Sequence, residues 1–144
     1  SKAVGGNRVG MRISPYGAFN GMQADPEMDA LYLELVAQLN PLGMAYIHVV
    51  DHSSMGAPPV SAELKGKIRT NFKGSYILSG GYDLTRANVD LTENKGDLVA
   101  FGRMFISNPN LVEKLRTGTA LTPPDFNTFY TPGEKGYTDY PALA

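Results

Sequence analysis

Four short apolar runs, each followed by a segment with helical spacing, organise the 144-residue chain. The runs are rich in β-branched and aromatic residues, and they span residues 9–14 (VGMRIS), 44–50 (MAYIHVV), 75–78 (SYIL) and 97–101 (DLVAF). Because they are largely apolar on both faces rather than alternating, they predict parallel strands that are covered by helices.

The helical segments have recognisable beginnings and ends. The first is predicted to begin with Asp25 as the N-cap and Pro26 at the first helical position, and to end at Pro41 and Gly43. Its apolar side chains at near-helical spacing are Met28, Leu31, Leu35 and Leu39.

Three further helices follow the later strands. One begins at about Ser61, with Leu64 and Ile68 facing inward, and the next covers residues 83–94. The last is predicted to begin at Ser107 and to end at Gly118. Its apolar residues are Leu111, Val112 and Leu115, and a tail rich in Pro, Tyr and Phe continues to residue 144.

Four consecutive βα units with short connections predict an α/β fold with right-handed crossovers. Two architectures are compatible with this order: a small open parallel sheet, or half of a (β/α)₈ barrel, since a complete barrel needs about 250 residues. Either arrangement leaves two unpaired strand edges, which pairing with another chain would relieve.

Composition narrows the class of protein. With 13 basic and 14 acidic side chains, the net charge of −1 provides no bulk attraction for nucleic acid or an anionic membrane. No apolar stretch approaches the roughly 20 residues of a membrane span, and the first ten residues (SKAVGGNRVG) lack the apolar core of a signal peptide. The absence of cysteine excludes disulfides and thiolate metal sites. We therefore expect one cytoplasmic domain over residues 1–144.

Glycine and arginine follow the last two strands at their carboxyl ends, where parallel α/β folds bind ligands. Gly80 and Gly81 come after the third strand, and Gly102 and Arg103 come after the fourth. Glycines let a phosphate approach backbone N–H groups, and an arginine can bind it through two hydrogen bonds. The alternatives are a tight turn for the glycines and a surface ion pair for Arg103. Together, the four residues favour a phosphate site.

Other polar residues lie in or near the first two strands. Arg12 interrupts an apolar strand, where either a carboxylate or an electron-rich cofactor group would balance its charge. We expect His48 to be a hydrogen-bonded core histidine. Asp51 and His52 form either an acid–base pair or part of a solvated loop, and no metal triad or nucleophile–base set is recognisable.

Three segments together resemble the C-terminal half of the Old Yellow Enzyme family of FMN-dependent, NAD(P)H-driven ene-reductases. They are GMRISPYGAFNGM (residues 10–22), AFGRMFISNPNLVEKL (100–115) and TFYTPGEKGYTDYP (128–141), and the resemblance covers nearly the whole chain. It implies strands five to eight of a TIM barrel, hydride transfer from NAD(P)H through FMN to an activated alkene, and a tail (119–144) that packs near the flavin.

The resemblance also implies roles for particular residues. Arg12, in the RISP motif, would lie beside the pyrimidine side of the flavin, and Phe129 and Tyr130 would lie beside the flavin ring and the substrate entrance. The two glycine-bearing strand ends would hold the FMN phosphate; their residues are Gly80, Gly81, Gly102 and Arg103.

The same resemblance implies that the chain lacks part of the catalytic machinery. The family's substrate-anchoring pair and its proton-donating tyrosine belong to the other half of the barrel, so no catalytic residue is assigned here. Alone, the chain is expected to bind FMN weakly and to be inactive. Its expected partner is an N-terminal half-barrel chain or a second copy of itself. The alternative function is a non-catalytic half-barrel that self-associates to complete a barrel.

Overall fold

The computed structural model describes residues 2–23 and 25–142, and the chain forms two compact units, Ser1–Ala100 and Phe101–Ala144. The first unit holds the sheet and the helices between its strands. The strands are β1 (Gly10–Ile13), β2 (Tyr46–Val50), β3 (Ser75–Ser79) and β4 (Leu98–Ala100). The helices are α1 (Met28–Leu39), α2 (Ala62–Asn71) and α3 (Leu84–Thr92).

The four strands form one parallel sheet in the order β1-β2-β3-β4. Each connection between neighbouring strands contains one of the three helices, as a parallel crossover requires. This confirms the predicted α/β fold with its sequential βα units.

Only one face of the sheet is fully covered, as in the predicted half-barrel with its helices on one side. The strand residues buried on this face alternate with more exposed ones, and they are Ile13, Ile47, Val49, Tyr76 and Leu78. Val50, at the end of β2, is buried as well. On the opposite face, Tyr46 and Leu98 remain 40% and 55% exposed. The strands are apolar on both faces, but the helices lie on one side, where Leu78 lines the space between α2 and α3. We call the other side the open face.

One row of side chains crosses the open face. The register aligns Arg12 with His48, His48 with Ile77, and Ile77 with Leu98. Because residues paired across parallel strands point to the same side of a sheet, this row places a cation and an imidazole beside two aliphatic side chains.

Helix α1 begins later than the sequence suggested. Asp25 is not its N-cap: its carboxylate accepts a hydrogen bond from the backbone N–H of Glu27 (2.8 Å), and Glu27 occupies the N-cap position. Leu31, which was expected to follow the apolar spacing, is 59% exposed, whereas Val36 is fully buried. The helical end at Asn40–Leu42, with Gly43 in the left-handed conformation (φ 60°), is as predicted.

The next two helices begin where side chains cap them. The Ser61 hydroxyl accepts the N–H of Leu64 (3.0 Å), and the Asp83 carboxylate accepts the N–H of Arg86 (2.7 Å). Leu64 and Ile68 are fully buried, which confirms the inward face of α2.

The second unit contains a short helix α4 (Arg103–Ser107) and a helix α5 (Leu111–Thr117) that ends at Gly118. Ser107 therefore ends one helix and does not begin the next. The residue that follows, Asn108, precedes a proline, which disfavours a helical conformation there. The Asn108 side chain instead joins the segments: its oxygen accepts from Lys114 Nζ and from the N–H of Thr122, both at 2.9 Å.

Across residues 2–23 and 25–142, no helix has the length and apolarity needed to cross a membrane.

Core packing against the covered face should decide the stability of the first unit. Leu64→Ala removes a fully buried side chain, so it should lower the free energy of unfolding by about 3 kcal/mol. The same substitution at Leu31, which is mostly exposed, should cost less than ~1 kcal/mol. Urea unfolding followed by circular dichroism measures both variants, and equal losses would contradict this description of the core.

Candidate functional site

The carboxyl ends of β1, β2 and β3 meet at one edge of the sheet, because the strands are parallel and aligned in register. Ser14, Asp51 and Gly80 follow these three strands directly. The backbone N–H of Asp51 donates to the carbonyl of Ser79 (3.1 Å), which keeps the end of β2 against the end of β3. This edge contains the predicted strand-end residues of the first unit.

Gly80 is required by the fold itself. Its φ is +128°, and a Cβ at this position would lie 2.3 Å from the carbonyl oxygen of Asp51. Close packing against the Asp51 backbone is therefore enough to explain a glycine at position 80, without a ligand.

Gly81 differs from Gly80 in what surrounds it. It has a φ of +64°, and it lies exposed at the edge of the sheet. Within the described part of the chain, no group accepts its backbone N–H. A donor of this kind suits a bound anion.

Arg12 lies exposed on the open face rather than in the core. Among residues 2–23 and 25–142, no carboxylate forms an ion pair or a hydrogen bond with it. The sequence left open whether a carboxylate or a cofactor group balances the Arg12 charge, and the described residues provide no carboxylate. The positive charge of Arg12 contributes to lowering the pKa of both His48 and His52.

His48 corrects the expectation of a hydrogen-bonded core histidine. Its Nε2 atom is buried and has no hydrogen-bond partner among the described residues, and the side chain lies beside Arg12 on the open face. Burial, and then the Arg12 charge, lower its pKa, so the ring is neutral at pH 7. A neutral imidazole with an unsatisfied nitrogen can still bind a polar group that covers this face.

Asp51 and His52 do not form an acid–base pair. The Asp51 carboxylate accepts from Lys65 Nζ (2.5 Å) and from the N–H of Ser53 (3.0 Å). Burial alone would raise the Asp51 pKa, but these hydrogen bonds outweigh it and the pKa is lowered. His52 instead meets Phe19 edge to face, with the ring centroids 4.9 Å apart. The loop is therefore a capped turn whose carboxylate holds helix α2.

The remaining predicted residues belong to the second unit. Arg103 begins α4, and Gly102 precedes it with a φ of −93°, a backbone conformation open to any residue. The backbone therefore does not explain why residue 102 is a glycine. In the tail, Phe129 is half-buried, and the Tyr130 side chain is 96% exposed. Their rings lie 6.4 Å apart in a T-shaped arrangement.

Sequence reasoning missed a cluster behind the glycine loop. Arg86 Nη1 donates to the carbonyl oxygen of Gly80 (3.1 Å), and its guanidinium lies 4.0 Å from the ring centroid of Tyr82. The Tyr82 hydroxyl donates to the buried Asp90 carboxylate (2.7 Å). Burial, and then the hydrogen bond to Asp90, raise the pKa of Tyr82 to about 12. The four-residue spacing from Tyr82 to Arg86 to Asp90 was the available signal.

The fold defines an α/β protein with a four-stranded parallel sheet and a helix in each crossover. Over residues 1–122 it matches the model of the NADH:flavin oxidoreductase / NADH oxidase family, and it belongs to that family. Phe129 and Tyr130 lie outside this match.

Two curated relatives illustrate the relationship. The chain is 34% identical over 146 residues to 12-oxophytodienoate reductase 2 of Arabidopsis thaliana, covering 99% of this chain and 39% of that protein. It is 41% identical over 147 residues to chanoclavine-I aldehyde reductase of Penicillium roqueforti, covering 96% of this chain and 39% of that protein. The chain thus spans well under half the length of these relatives.

Solved structures of the same family are similar to this chain. Morphinone reductase is similar with a TM-score of 0.91 and 40% identity, over 99% of this chain and 38% of that one. The old yellow enzyme from Trypanosoma cruzi gives a TM-score of 0.87 and 36% identity, over 99% of this chain and 37% of that one. The resemblance to the Old Yellow Enzyme family is confirmed, and the four βα units correspond to half of a TIM barrel.

Substitution of Gly80 should show how strongly the fold requires a glycine at this position. Gly80→Ala forces a Cβ against the Asp51 backbone, so it should lower the free energy of unfolding by about 1–3 kcal/mol. The matched control is Gly66→Ala within α2, where an added Cβ meets no atom within 4 Å, and it should stabilise the chain by about 0.5–1 kcal/mol. Thermal unfolding of the two variants checks the opposite signs.

The two histidines should titrate below the ordinary value of 6.5. Burial and the Arg12 charge lower both pKa values, and the Asp51 charge partly opposes the shift of His52. Arg12→Gln removes the Arg12 charge and leaves burial, so it should raise both pKa values part of the way back. Because the unfolded chain takes up these protons at higher pH than the folded chain, the free energy of unfolding should decrease as the pH falls below about 6.5. NMR titration of the imidazole resonances measures both midpoints, and unchanged midpoints in Arg12→Gln would contradict the assignment of the Arg12 charge.

Proposed function

We propose that this chain is the FMN-holding half of an ene-reductase barrel. The observation that carries the proposal is an exposed arginine without a carboxylate partner on the open face of a flavin-oxidoreductase half-barrel. The Gly81 N–H, which no described group accepts, and the buried Nε2 of His48 also suit a polar, anionic group such as FMN.

The phosphate of FMN would bind to the residues that follow β3 and β4. We propose that Gly80 and Gly81 provide the backbone approach and that the N–H of Gly81 is one donor. Gly102 would allow a similar approach, and Arg103 would add a charge-assisted hydrogen bond. The exposed position of Gly81 and the lack of a backbone reason for a glycine at 102 support this assignment.

The isoalloxazine ring would lie beside Arg12. A guanidinium held at that position would stabilise negative charge on the reduced ring. The proposed role of Phe129 and Tyr130 is to contact the ring and to border the substrate entrance. The 96% exposure of the Tyr130 side chain leaves it available for such a contact.

When bound, FMN supplies two-electron chemistry between a nicotinamide donor, NADH or NADPH, and the carbon–carbon double bond of an activated alkene. This chain contributes binding and charge rather than a proton. The hydroxyls of Tyr16 and Tyr82 donate to Asp29 (2.5 Å) and Asp90 (2.7 Å), so both are engaged within the fold. As the family resemblance implies, we propose that the proton donor and the substrate anchor come from the other half of the barrel.

The open face supports a partner of the same architecture. We propose that four further strands cover the row of Arg12, His48, Ile77 and Leu98, either from an N-terminal half-barrel or from a second copy of this chain. The second candidate function, a self-associating half-barrel without catalysis, rests on the same face, because exposed Leu98 and Tyr46 would then be buried by a copy.

Titration with FMN and with riboflavin, which lacks the phosphate, tests the flavin proposal. Alone, the chain should bind FMN weakly, because half of the binding surface is absent, and it should bind riboflavin more weakly still. Arg12→Gln should weaken both ligands by a similar factor, since it acts on the ring. Isothermal titration and the visible spectrum measure these affinities.

Two results would contradict the proposal. Tight stoichiometric FMN binding by the isolated chain would refute the expectation of a divided site, and equal affinity for FMN and riboflavin would refute the phosphate assignment. Light scattering in the same samples distinguishes a monomer from a pair of copies.

A further inference from the structure

We propose that Arg86 is a positioning residue that aims the backbone N–H of Gly81 at the phosphate. This inference rests on the proposed FMN site, and it assigns a task to a side chain that would not touch the cofactor. The carrying contact is the hydrogen bond of 3.1 Å from Arg86 Nη1 to the carbonyl oxygen of Gly80.

The geometry of one peptide unit connects this contact to the ligand side. The carbonyl of Gly80 and the N–H of Gly81 belong to the same planar trans peptide, so they point in opposite directions. When Arg86 holds the carbonyl toward helix α3, the N–H must point away from that helix. The same charge-assisted bond polarises the peptide and makes its N–H a stronger donor.

The loop needs such a restraint because glycine does not provide one. Gly80 and Gly81 have φ values of +128° and +64°, and neither has a side chain that would favour one orientation of the peptide between them. Asp51 packs close to the Cα of Gly80, but its backbone N–H donates to the carbonyl of Ser79 and not to that of Gly80. Among the described residues, Arg86 is the side chain that donates a hydrogen bond to that carbonyl.

Arg86 is itself fixed on two sides. Its guanidinium lies over the Tyr82 ring at 4.0 Å, and its Nε atom is 3.8 Å from the Asp90 carboxylate. Asp90 is buried and also accepts from the Tyr82 hydroxyl (2.7 Å) and from Lys95 Nζ (2.8 Å). A surface arginine that pairs only with a carboxylate usually keeps several orientations, whereas stacking on Tyr82 restricts the Arg86 guanidinium.

The experiment follows the Gly81 amide by NMR in the ¹⁵N-labelled chain, because NMR titration detects weak binding. The probes are FMN, riboflavin and inorganic phosphate. In the wild type, FMN and phosphate should shift the Gly81 amide proton downfield, whereas riboflavin should not. Arg86→Gln should weaken phosphate and FMN about fivefold, the effect of one misaligned hydrogen bond, and should leave riboflavin unchanged.

Two further variants separate position from charge. Arg116→Gln removes the same charge from a side chain that is 70% exposed and pairs with Glu113 on α5, so it should change phosphate affinity little. Arg86→Lys keeps a donor and the charge but loses the planar fork, so it should bind phosphate with an affinity between those of the wild type and Arg86→Gln. Because the Arg86 side chain is 44% exposed, both changes at this position should leave the fold intact, which the amide spectrum verifies.

The outcomes distinguish the two proposals. If neither FMN nor phosphate moves the Gly81 amide of the wild type, the phosphate site itself is wrong and the inference about Arg86 is lost with it. If the wild type responds but Arg86→Gln binds phosphate as well as Arg116→Gln does, the phosphate site stands and Arg86 has no positioning role.

Discussion

The parallel pairing of four consecutive strands is the constraint on which the rest of the structure depends. It requires every connection to cross back over the sheet, and all three crossovers place their helix on the same side. Two consequences follow from this single fact. The carboxyl ends of the strands meet at one edge, and the face opposite the helices is left without a cover of its own. The candidate site lies at that edge and on that face.

Charge is distributed around the edge so that an anion can approach it. Asp51 follows β2 directly and Asp90 lies on α3, and each is paired with a lysine, Lys65 at 2.5 Å and Lys95 at 2.8 Å. Both carboxylates have lowered pKa values in spite of burial, because these hydrogen bonds outweigh desolvation. Asp51 and Asp90 thus remain ionised, each with a lysine beside it. Arg12, in contrast, has no described carboxylate beside it.

Much of the first unit could be predicted from local patterns. Strands rich in β-branched residues, the serine before α2 and the glycines after α1 and α5 act through short-range geometry that the sequence states directly. The start of α1 could not be placed, because an aspartate before a proline suits an N-cap, whereas the Asp25 carboxylate accepts the N–H of Glu27 in the turn before the helix. Which strand residues lie on the uncovered face could not be predicted, for a different reason. An apolar strand residue looks the same in sequence whether a helix of this chain or another layer of the barrel covers it.

The site residues divide in the same way. Gly80 and Gly81 were found by spacing, but the sequence could not show that Gly80 is needed for packing against Asp51 whereas Gly81 is left exposed. The role of Arg86 depends on a carbonyl six residues earlier, and a hydrogen bond to the backbone leaves no residue-type signature at its acceptor. His48 was misjudged because its residue type and its place in an apolar strand do not show whether a hydrogen-bond partner lies beside its ring.

Closure of the proposed barrel and binding of its cofactor should be coupled through Arg12. On the open face its guanidinium is exposed to water and needs no counter-charge. Once further strands cover that face, the same group would be buried beside neutral His48, and an unpaired buried cation is costly. An anionic flavin at this position removes that cost, whereas an empty closed barrel retains it. The residue that suits the cofactor therefore also opposes closure without it, and FMN should stabilise the association of the two halves as well as bind to them.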